Sequence, residues 1–137
     1  MFLGGDTCHH AGEFRPTEYL PLPSHVPHQS HPSPTLMPCP CSIFENIHPN
    51  KSRVEPYYPI AVTADGKTVA NDIGEALESI VKMEEFDANE DVFTVIAHDP
   101  SLVGVADFFP KRANAWKEKE WADRTRWEFL KDFDSKV

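Results

Sequence analysis

The sequence predicts one domain of the α/β, or layered α+β, class. A helical pattern over residues 72–85 is followed, after a short acidic stretch, by an apolar run over residues 92–97. A helix that leads directly into a buried strand is half of a β/α unit. The chain has 137 residues, of which 40% are hydrophobic, and this is enough for one compact core but too little for two ordinary domains. We therefore expect a single domain over residues 1–137.

A short apolar run at residues 1–3 leads into two glycines and a polar cluster. The cluster contains Asp6, Cys8, His9 and His10. Glycines allow the backbone to turn tightly and to bring a carboxylate into a cavity. Asp, His and Cys are all ligands of first-row metals. The alternative is an ordinary strand-to-loop turn, because adjacent histidines are not a specific ligand spacing.

Residues 16–59 are predicted to form a long proline-rich loop. Eleven of the 13 prolines fall in this range, and no apolar periodicity there defines a long helix. We expect Leu20, Leu22 and Phe44 to attach parts of the loop to the body of the domain. Loops of this length in compact domains are usually functional, disordered or inserted.

Three histidines in this loop, His25, His28 and His31, repeat at every third residue. Nothing in a proline-rich segment fixes a regular face, so solvated loop histidines are the preferred interpretation. Cys39 and Cys41 are separated by one residue, and a structural zinc site would need a second ligand pair that the sequence does not contain.

After the loop, residues 60–63 are predicted to form a minor strand, which a turn follows. The helix over 72–85 is the most clearly defined element. Asp72 and Glu75 have the spacing of a capping box, which marks a helix start. Its apolar residues share one predicted face, made of Ile73, Leu77, Ile80 and Val81.

Residues 92–97 form a nearly continuous β-branched and aromatic run, which is typical of a central strand buried on both faces. His98, Asp99 and Pro100 follow at once. In open α/β sheets ligands bind beyond the carboxyl ends of the strands, so this pair is well placed for a site, with His98 pointing inward. The alternative is structural: His98 bonds a neighbouring loop and Asp99 caps a short helix from Ser101.

The remaining residues, 106–137, are predicted to form a C-terminal helical cap. This tail carries many large apolar side chains among charges, and Trp127, Leu130 and Phe133 lie at helical spacing. We expect these three residues to pack on the sheet.

Composition excludes several classes of function. A formal net charge of -9 disfavours nucleic-acid binding, which depends on clustered Lys and Arg. No apolar stretch reaches the roughly 18 residues that a membrane-spanning helix needs, and no signal peptide is recognisable. Three cysteines without a disulfide-framework spacing fit a reducing compartment. We therefore predict a soluble cytoplasmic protein with no nucleic-acid or membrane partner.

The two polar clusters, taken in order, resemble those of a known family. They stand in the segments Gly5-Asp6-Thr7-Cys8-His9-His10-Ala11-Gly12-Glu13-Phe14-Arg15-Pro16 and Ala97-His98-Asp99. Similar segments, separated by a helix and a strand, occur in the C-terminal half of metallo-β-lactamase-fold proteins, most closely in a fungal branch. The similarity extends over nearly the whole chain, including the Trp-rich tail.

The resemblance implies the C-terminal half of an αββα sandwich: one mixed sheet with flanking helices and the long proline-rich loop. It also implies a hydrolytic site with one or two metal ions, usually zinc. Asp6 would match the family's metal-bridging aspartate and His98 its last histidine ligand, while His9, His10 and Cys8 are weaker candidates. In such sites the metal lowers the pKa of bound water and polarises the scissile carbonyl or phosphoryl group.

One departure from the family pattern shapes the functional prediction. The principal ligand motif, His-x-His-x-Asp-His, does not occur in this sequence. Asp6 and His98 are then two members of a larger ligand set, and two ligands hold a metal weakly. We expect zinc binding to be weak or absent and the chain alone to be inactive. We also expect self-association through an exposed apolar sheet face.

Two functional hypotheses follow from these observations. The first is a partial metal-dependent hydrolase domain whose small-molecule substrate the sequence does not reveal. The second is a non-catalytic protein-binding module that has the same fold.

Overall fold

The computed structural model describes residues 1–26 and 39–136, except for the side chains of residue 39 and of residues 134–136. The strands and α-helices, in chain order, are β1 (Phe2–Gly5), β2 (His25–Val26), β3 (Cys39–Pro40), α1 (Ser42–Ile47), α2 (Ile73–Asp87), β4 (Thr94–Ile96) and α3 (Trp121–Thr125). Short 3₁₀ helices cover Ala11–Glu13, Pro100–Leu102, Ala113–Ala115 and Glu128–Lys136. Helices around a small parallel sheet are consistent with the predicted α/β class.

Strands β1 and β4 pair in parallel, with Phe2 opposite Thr94 and Leu3 opposite Val95. Side chains cover both faces of β4, because Thr94 and Ile96 are buried and Val95 is half-buried. Within residues 1–26 and 39–136 this sheet has two strands, so each strand has one free edge. The predicted burial of the 92–97 run on both faces is therefore confirmed for β4. The larger mixed sheet stays a prediction.

Helix α2 begins where the sequence predicted it, since the Asp72 carboxylate accepts a 3.0 Å hydrogen bond from the Glu75 backbone N–H. The apolar residues that share its predicted face are, however, mostly not the buried ones. The buried side chains are Ile80, Met83 and Asp87. Three members of the predicted face are about half exposed instead: Ile73 at 47%, Leu77 at 50% and Val81 at 51%. The helix is therefore turned so that only Ile80 belongs to both faces.

The proline-rich segment, residues 16–59, contains more regular structure than we predicted. It includes helix α1, and strands β2 and β3 pair antiparallel within it. Leu22 and Phe44 are buried as expected, and Leu20 is half-buried. His28 and His31 lie outside the described residues.

The predicted strand over residues 60–63 is wrong. A single antiparallel bridge joins Val62 to Thr68, and the turn between them is tight because the Gly66 N–H donates to the Thr63 carbonyl at 2.9 Å. Gly66 has a φ of +81°, a conformation that glycine adopts without steric cost.

The C-terminal cap packs as a series of short helical segments. Leu130 and Phe133 are buried with the main core, and Trp127 is partly buried against it. Trp121 belongs to a second, smaller core with Phe93 and Leu102. No helix in the described part of the chain is long and apolar enough to cross a membrane.

Candidate metal centre

The two predicted clusters meet because β1 and β4 run parallel. Asp6 directly follows β1, and His98 follows β4 by one residue. The Ala97 N–H donates to the Gly5 carbonyl at 2.9 Å, which continues the pairing past the end of β4. The carboxyl ends of parallel strands lie at the same edge of a sheet, and this topology places the Asp6 and His98 side chains side by side.

A tight turn presents Asp6 at this edge. The backbone N–H and the hydroxyl of Thr7 both donate to the Gly4 carbonyl, at 3.1 and 2.6 Å. Gly5 lies within the turn at a φ of +54°, which L-residues with a side chain rarely adopt. A Cβ atom at Gly4 would lie 3.0 Å from the Met83 sulfur. Gly5 therefore suits the turn, and Gly4 allows close packing of β1 on α2.

Three side chains converge at the end of the sheet: Asp6, His9 and His98. One ligand atom from each lies within 4.8 Å of the other two. The His98 Nε2 is 3.0 Å from an Asp6 carboxylate oxygen, and the His9 and His98 rings stack with centroids 5.1 Å apart. One carboxylate and two imidazoles are a typical donor set for zinc.

The ligand atoms of this Asp6–His9–His98 cluster lie close to the spacing of ligands around one metal ion. Metal–ligand bonds of about 2.0 Å put tetrahedral ligand atoms about 3.3 Å apart. The Asp6–His98 distance is already close to this value. The side chains of Asp6 and His98 are 72% and 57% exposed, so they have room to move. The prediction that His98 points inward was wrong, because more than half of its side chain is exposed.

Glu13 holds the backbone of His9 in place. Its carboxylate is 7% exposed and accepts a 3.2 Å hydrogen bond from the His9 N–H. This contact joins residues four positions apart and fixes the backbone position from which the His9 side chain extends. Glu13 was part of the sequence segment that carries the family resemblance, but no pattern in that segment indicated this positioning role.

His10 points away from the cluster. Its Nδ1 accepts a 2.9 Å hydrogen bond from the Gly12 N–H, so the proton of the neutral ring lies on Nε2, which donates to Asp132 at 2.7 Å. The ring also packs edge-on against Tyr58. His10 therefore connects the N-terminal segment to the C-terminal cap, and the structure does not bring it to the Asp6–His9–His98 cluster.

Cys8 is also separate from the cluster. The side chain is 1% exposed and lies in the main core. Burial, reinforced by the negative charge of Glu13, raises the pKa of the Cys8 thiol to about 12. Because the thiolate is the form that binds metals or attacks substrates, Cys8 at neutral pH behaves as a small apolar core residue.

Asp99 has the structural role that the sequence offered as an alternative. Its carboxylate accepts a 2.9 Å hydrogen bond from the Ser101 N–H and caps the 3₁₀ helix Pro100–Leu102. Its backbone is extended, with a φ of -86° and a ψ of 103°, as expected for a residue before proline.

A cleft of about 270 Å³ opens beside the cluster, with Asp6 and His9 in its wall. Its other lining residues are Thr7, Glu13, Ile60, Val69, Ala70, Asn71, Asp72, Glu75, Ala76 and Ser79. Four of the lining side chains carry carboxylates, and none of the described lining residues is a lysine or an arginine. The cleft therefore has a negative potential that attracts cations.

Comparison with known proteins finds relatives that match nearly the whole chain. The chain is 42% identical, over 97% of its length, to the gamma-lactamase FDB1 of Fusarium pseudograminearum (strain CS3096). It is 35% identical over 97% of its length to the metallo-hydrolase mfmC of Annulohypoxylon moriforme. The chain therefore resembles a segment of metallo-β-lactamase-type proteins. The predicted resemblance is thereby confirmed.

The chain spans 31% of the gamma-lactamase and 33% of the metallo-hydrolase. It also matches, over its whole length at 39% identity, 13% of a protein named cytochrome P450 monooxygenase mpaDE from Penicillium brevicompactum. No family model matches the chain, and no solved structure is significantly similar to it. The similarity thus concerns one segment of longer proteins.

Proposed function

We propose that this chain supplies part of the metal site of a lactam-cleaving metallo-hydrolase, with Asp6, His9 and His98 as ligands. The observation that carries the proposal is the convergence of their ligand atoms within 4.8 Å at the shared end of β1 and β4. The relatives named gamma-lactamase and metallo-hydrolase support this class of reaction. When bound, zinc would supply Lewis acidity for the hydrolysis of an amide bond.

The chain's own residues have separable roles in this site. Asp6 contributes the negative charge that offsets a divalent ion, and the two imidazoles contribute neutral nitrogen ligands. Glu13 fixes the backbone of His9. The His98 ring makes two contacts within the cluster: its Nε2 lies 3.0 Å from an Asp6 carboxylate oxygen, and its face stacks on His9.

We propose further that the isolated chain binds zinc weakly and does not turn over substrate. Two of the three ligands are more than half exposed, so ordering them on a metal costs conformational entropy. Exposed ligands have few neighbouring groups to hold them in place, and contacts of that kind typically change metal affinity by about 10- to 100-fold.

Calorimetric titration of the whole chain with zinc tests this proposal. We expect weak binding of one ion, lowered at least about tenfold in a His9→Ala variant and abolished in an Asp6→Ala/His98→Ala double variant. His10→Ala is the matched control, since this histidine lies next to His9 but outside the cluster. Equal binding by the double variant and the parent chain would overturn the ligand assignment and favour the non-catalytic module. Tight stoichiometric zinc with hydrolytic turnover would contradict the predicted inactivity.

A further inference from the structure

A groove of about 440 Å³ lies between helix α2 and the segment 48–60. Leu77 and Val81, the two α2 residues that are half exposed instead of buried in the core, stand in one wall of it. The other wall carries two tyrosines, an isoleucine and three prolines of the segment 48–60. The exposed apolar side chains of α2 therefore face an apolar concavity and not a flat surface.

The wall made by the segment 48–60 is held in place from within. His48 is 2% exposed, and its Nδ1 accepts hydrogen bonds from the N–H groups of Asn50 and Ser52 at 3.1 and 3.3 Å. The proton of the neutral ring therefore lies on Nε2, which donates to the Glu55 carbonyl at 2.9 Å. The Asn50 side chain also donates to the Glu55 carboxylate at 2.8 Å. A wall that is already ordered loses little conformational freedom when a ligand binds against it.

The polar groups of the groove leave little charge for an ionic ligand. Among its carboxylates, Glu13 accepts a hydrogen bond from the His9 N–H and Glu55 accepts one from Asn50. Burial and the nearby Asp87 charge raise the pKa of Glu84, the third carboxyl group, to about 7, so it carries only part of its charge at neutral pH. None of the described lining residues is a lysine or an arginine. The lining is therefore complementary to an uncharged ligand.

We propose that this groove is a binding site for an uncharged apolar small molecule, an aryl or alkyl compound, separate from the candidate metal centre. Its volume falls within the range of about 300–1,000 Å³ that is usual for such sites. A ligand between the two walls would remove the exposed surface of Leu77 and Val81 from water, which is favourable. Glu13 and Ile60 line both the groove and the cleft beside the metal cluster, so these two residues stand between the two spaces. This inference goes beyond the proposed function and does not depend on it.

N-phenyl-1-naphthylamine, an uncharged fluorescent aryl compound, is the probe for this site. It is titrated into the whole chain, and its fluorescence gives the affinity and the number of sites. Amide chemical shifts of the ¹⁵N-labelled chain then locate the bound probe. We expect saturable binding at one site, with shifts of the Tyr58, Ile60 and Val81 amide signals, because these residues line the groove.

A matched pair of variants on α2 shows whether the probe occupies the groove. Leu77→Asn replaces an apolar wall residue and is expected to weaken probe binding about fivefold or more, since it removes apolar contact area. Ile73→Asn is the control, because Ile73 is almost equally exposed, at 47% against 50%, and does not line the groove. Equal weakening by the two variants would overturn the proposal, as would a bound probe that shifts none of the lining amides.

Zinc and sedimentation velocity distinguish other occupants and other sites. We expect saturating zinc to leave the probe bound, because no member of the Asp6–His9–His98 cluster lines the groove. Displacement of the probe by zinc would place it at the metal centre and overturn the proposal. Dimers that the parent chain forms and Leu77→Asn does not would assign the groove to a second copy, which would also overturn it. Failure of the zinc titration itself would affect only the proposed function.

Discussion

The segment from Gly5 to Pro16 looks like one motif in the sequence, but its residues have different roles in the structure. Asp6 and His9 face the candidate site, whereas His10 and Cys8 contact the protein itself. Gly12 contacts Tyr58 so closely that a Cβ atom would come within 2.8 Å of the tyrosine ring. Candidate metal ligands and packing residues therefore alternate along this segment, and the neighbouring residues His9 and His10 have different roles.

Glu84 gives a prediction at the residue scale, because burial and the nearby Asp87 charge raise its pKa to about 7. A raised pKa means that the folded state favours the protonated carboxyl, so this contribution to stability is present below pH 4.5 and is lost as the pH rises through about 7. Glu84→Gln removes the titration. We expect the variant and the parent to have similar melting temperatures at pH 4.5, and the variant to melt at a higher temperature at pH 8. A melting difference that stays constant with pH would contradict the raised pKa.

At the scale of elements, a buried ion pair joins the N-terminal segment to α2 and the C-terminal cap. The Arg15 guanidinium donates to both carboxylate oxygens of Asp87, at 2.6 and 2.7 Å, and to the Arg126 carbonyl at 2.9 Å. Both side chains of the pair are less than 5% exposed. Arg15 belongs to the segment that carries the family resemblance, and its role here is to hold three parts of the fold together.

Removal of Asp87 should destabilise the fold strongly. Asp87→Ala leaves the Arg15 charge buried without a partner, which typically costs about 3–5 kcal/mol. Lys82→Ala is the control on the same helix, because its ion pair with Glu78 is more than 70% exposed on both sides and contributes about 0.5 kcal/mol or less. Urea unfolding measures both changes in the free energy of unfolding. Similar losses in the free energy of unfolding for the two variants would show that the buried Arg15–Asp87 pair contributes little to stability.

The buried face of α2 gives a second prediction at this scale. Ile80 is 4% exposed and Leu77 is 50% exposed. We expect Ile80→Ala to cost about 2–5 kcal/mol through the cavity it leaves, and Leu77→Ala to change stability by about 0.5 kcal/mol or less. Denaturant unfolding of both variants is the measurement. A larger loss of stability in Leu77→Ala than in Ile80→Ala would contradict this assignment of the buried face.

The whole molecule carries apolar groups and strand edges that invite association. Within the described residues β1 and β4 each have a free edge, and Leu3 on β1 is 73% exposed. Exposed edges and apolar side chains favour pairing with a second chain. The self-association expected from the sequence stays a prediction. The β1–β4 sheet, with its free edges and the exposed Leu3, is the surface to test.

Sedimentation velocity tests this association. We expect the weight-average mass of the parent chain to rise with concentration. Leu3→Lys should suppress the rise, because an edge lysine opposes strand pairing. Val103→Lys is the control, since Val103 is also 73% exposed but lies outside the sheet. A parent chain that remains monomeric, or two variants that behave alike, would refute the sheet edge as the interface.

The sequence by itself determined the local features of this protein. The Asp72 cap, the buried run that becomes β4 and the order of the two polar segments all depend on residues that are close along the chain. These features were sufficient to predict the α/β class, because capping, alternation and turn chemistry act over a few residues. The metallo-β-lactamase resemblance rests on the residues of the two polar segments and on their order.

Only the tertiary structure decided which residues form the candidate site. Asp6 and His98 meet because β1 pairs with β4 in parallel, and no local rule fixes such a long-range pairing. The same packing placed His9 in the cluster and turned His10 toward the C-terminal cap. It also selected Ile80 and Met83 as the buried face of α2. The physical reason is that burial and side-chain direction depend on what packs against each element, whereas the sequence specifies only the element itself.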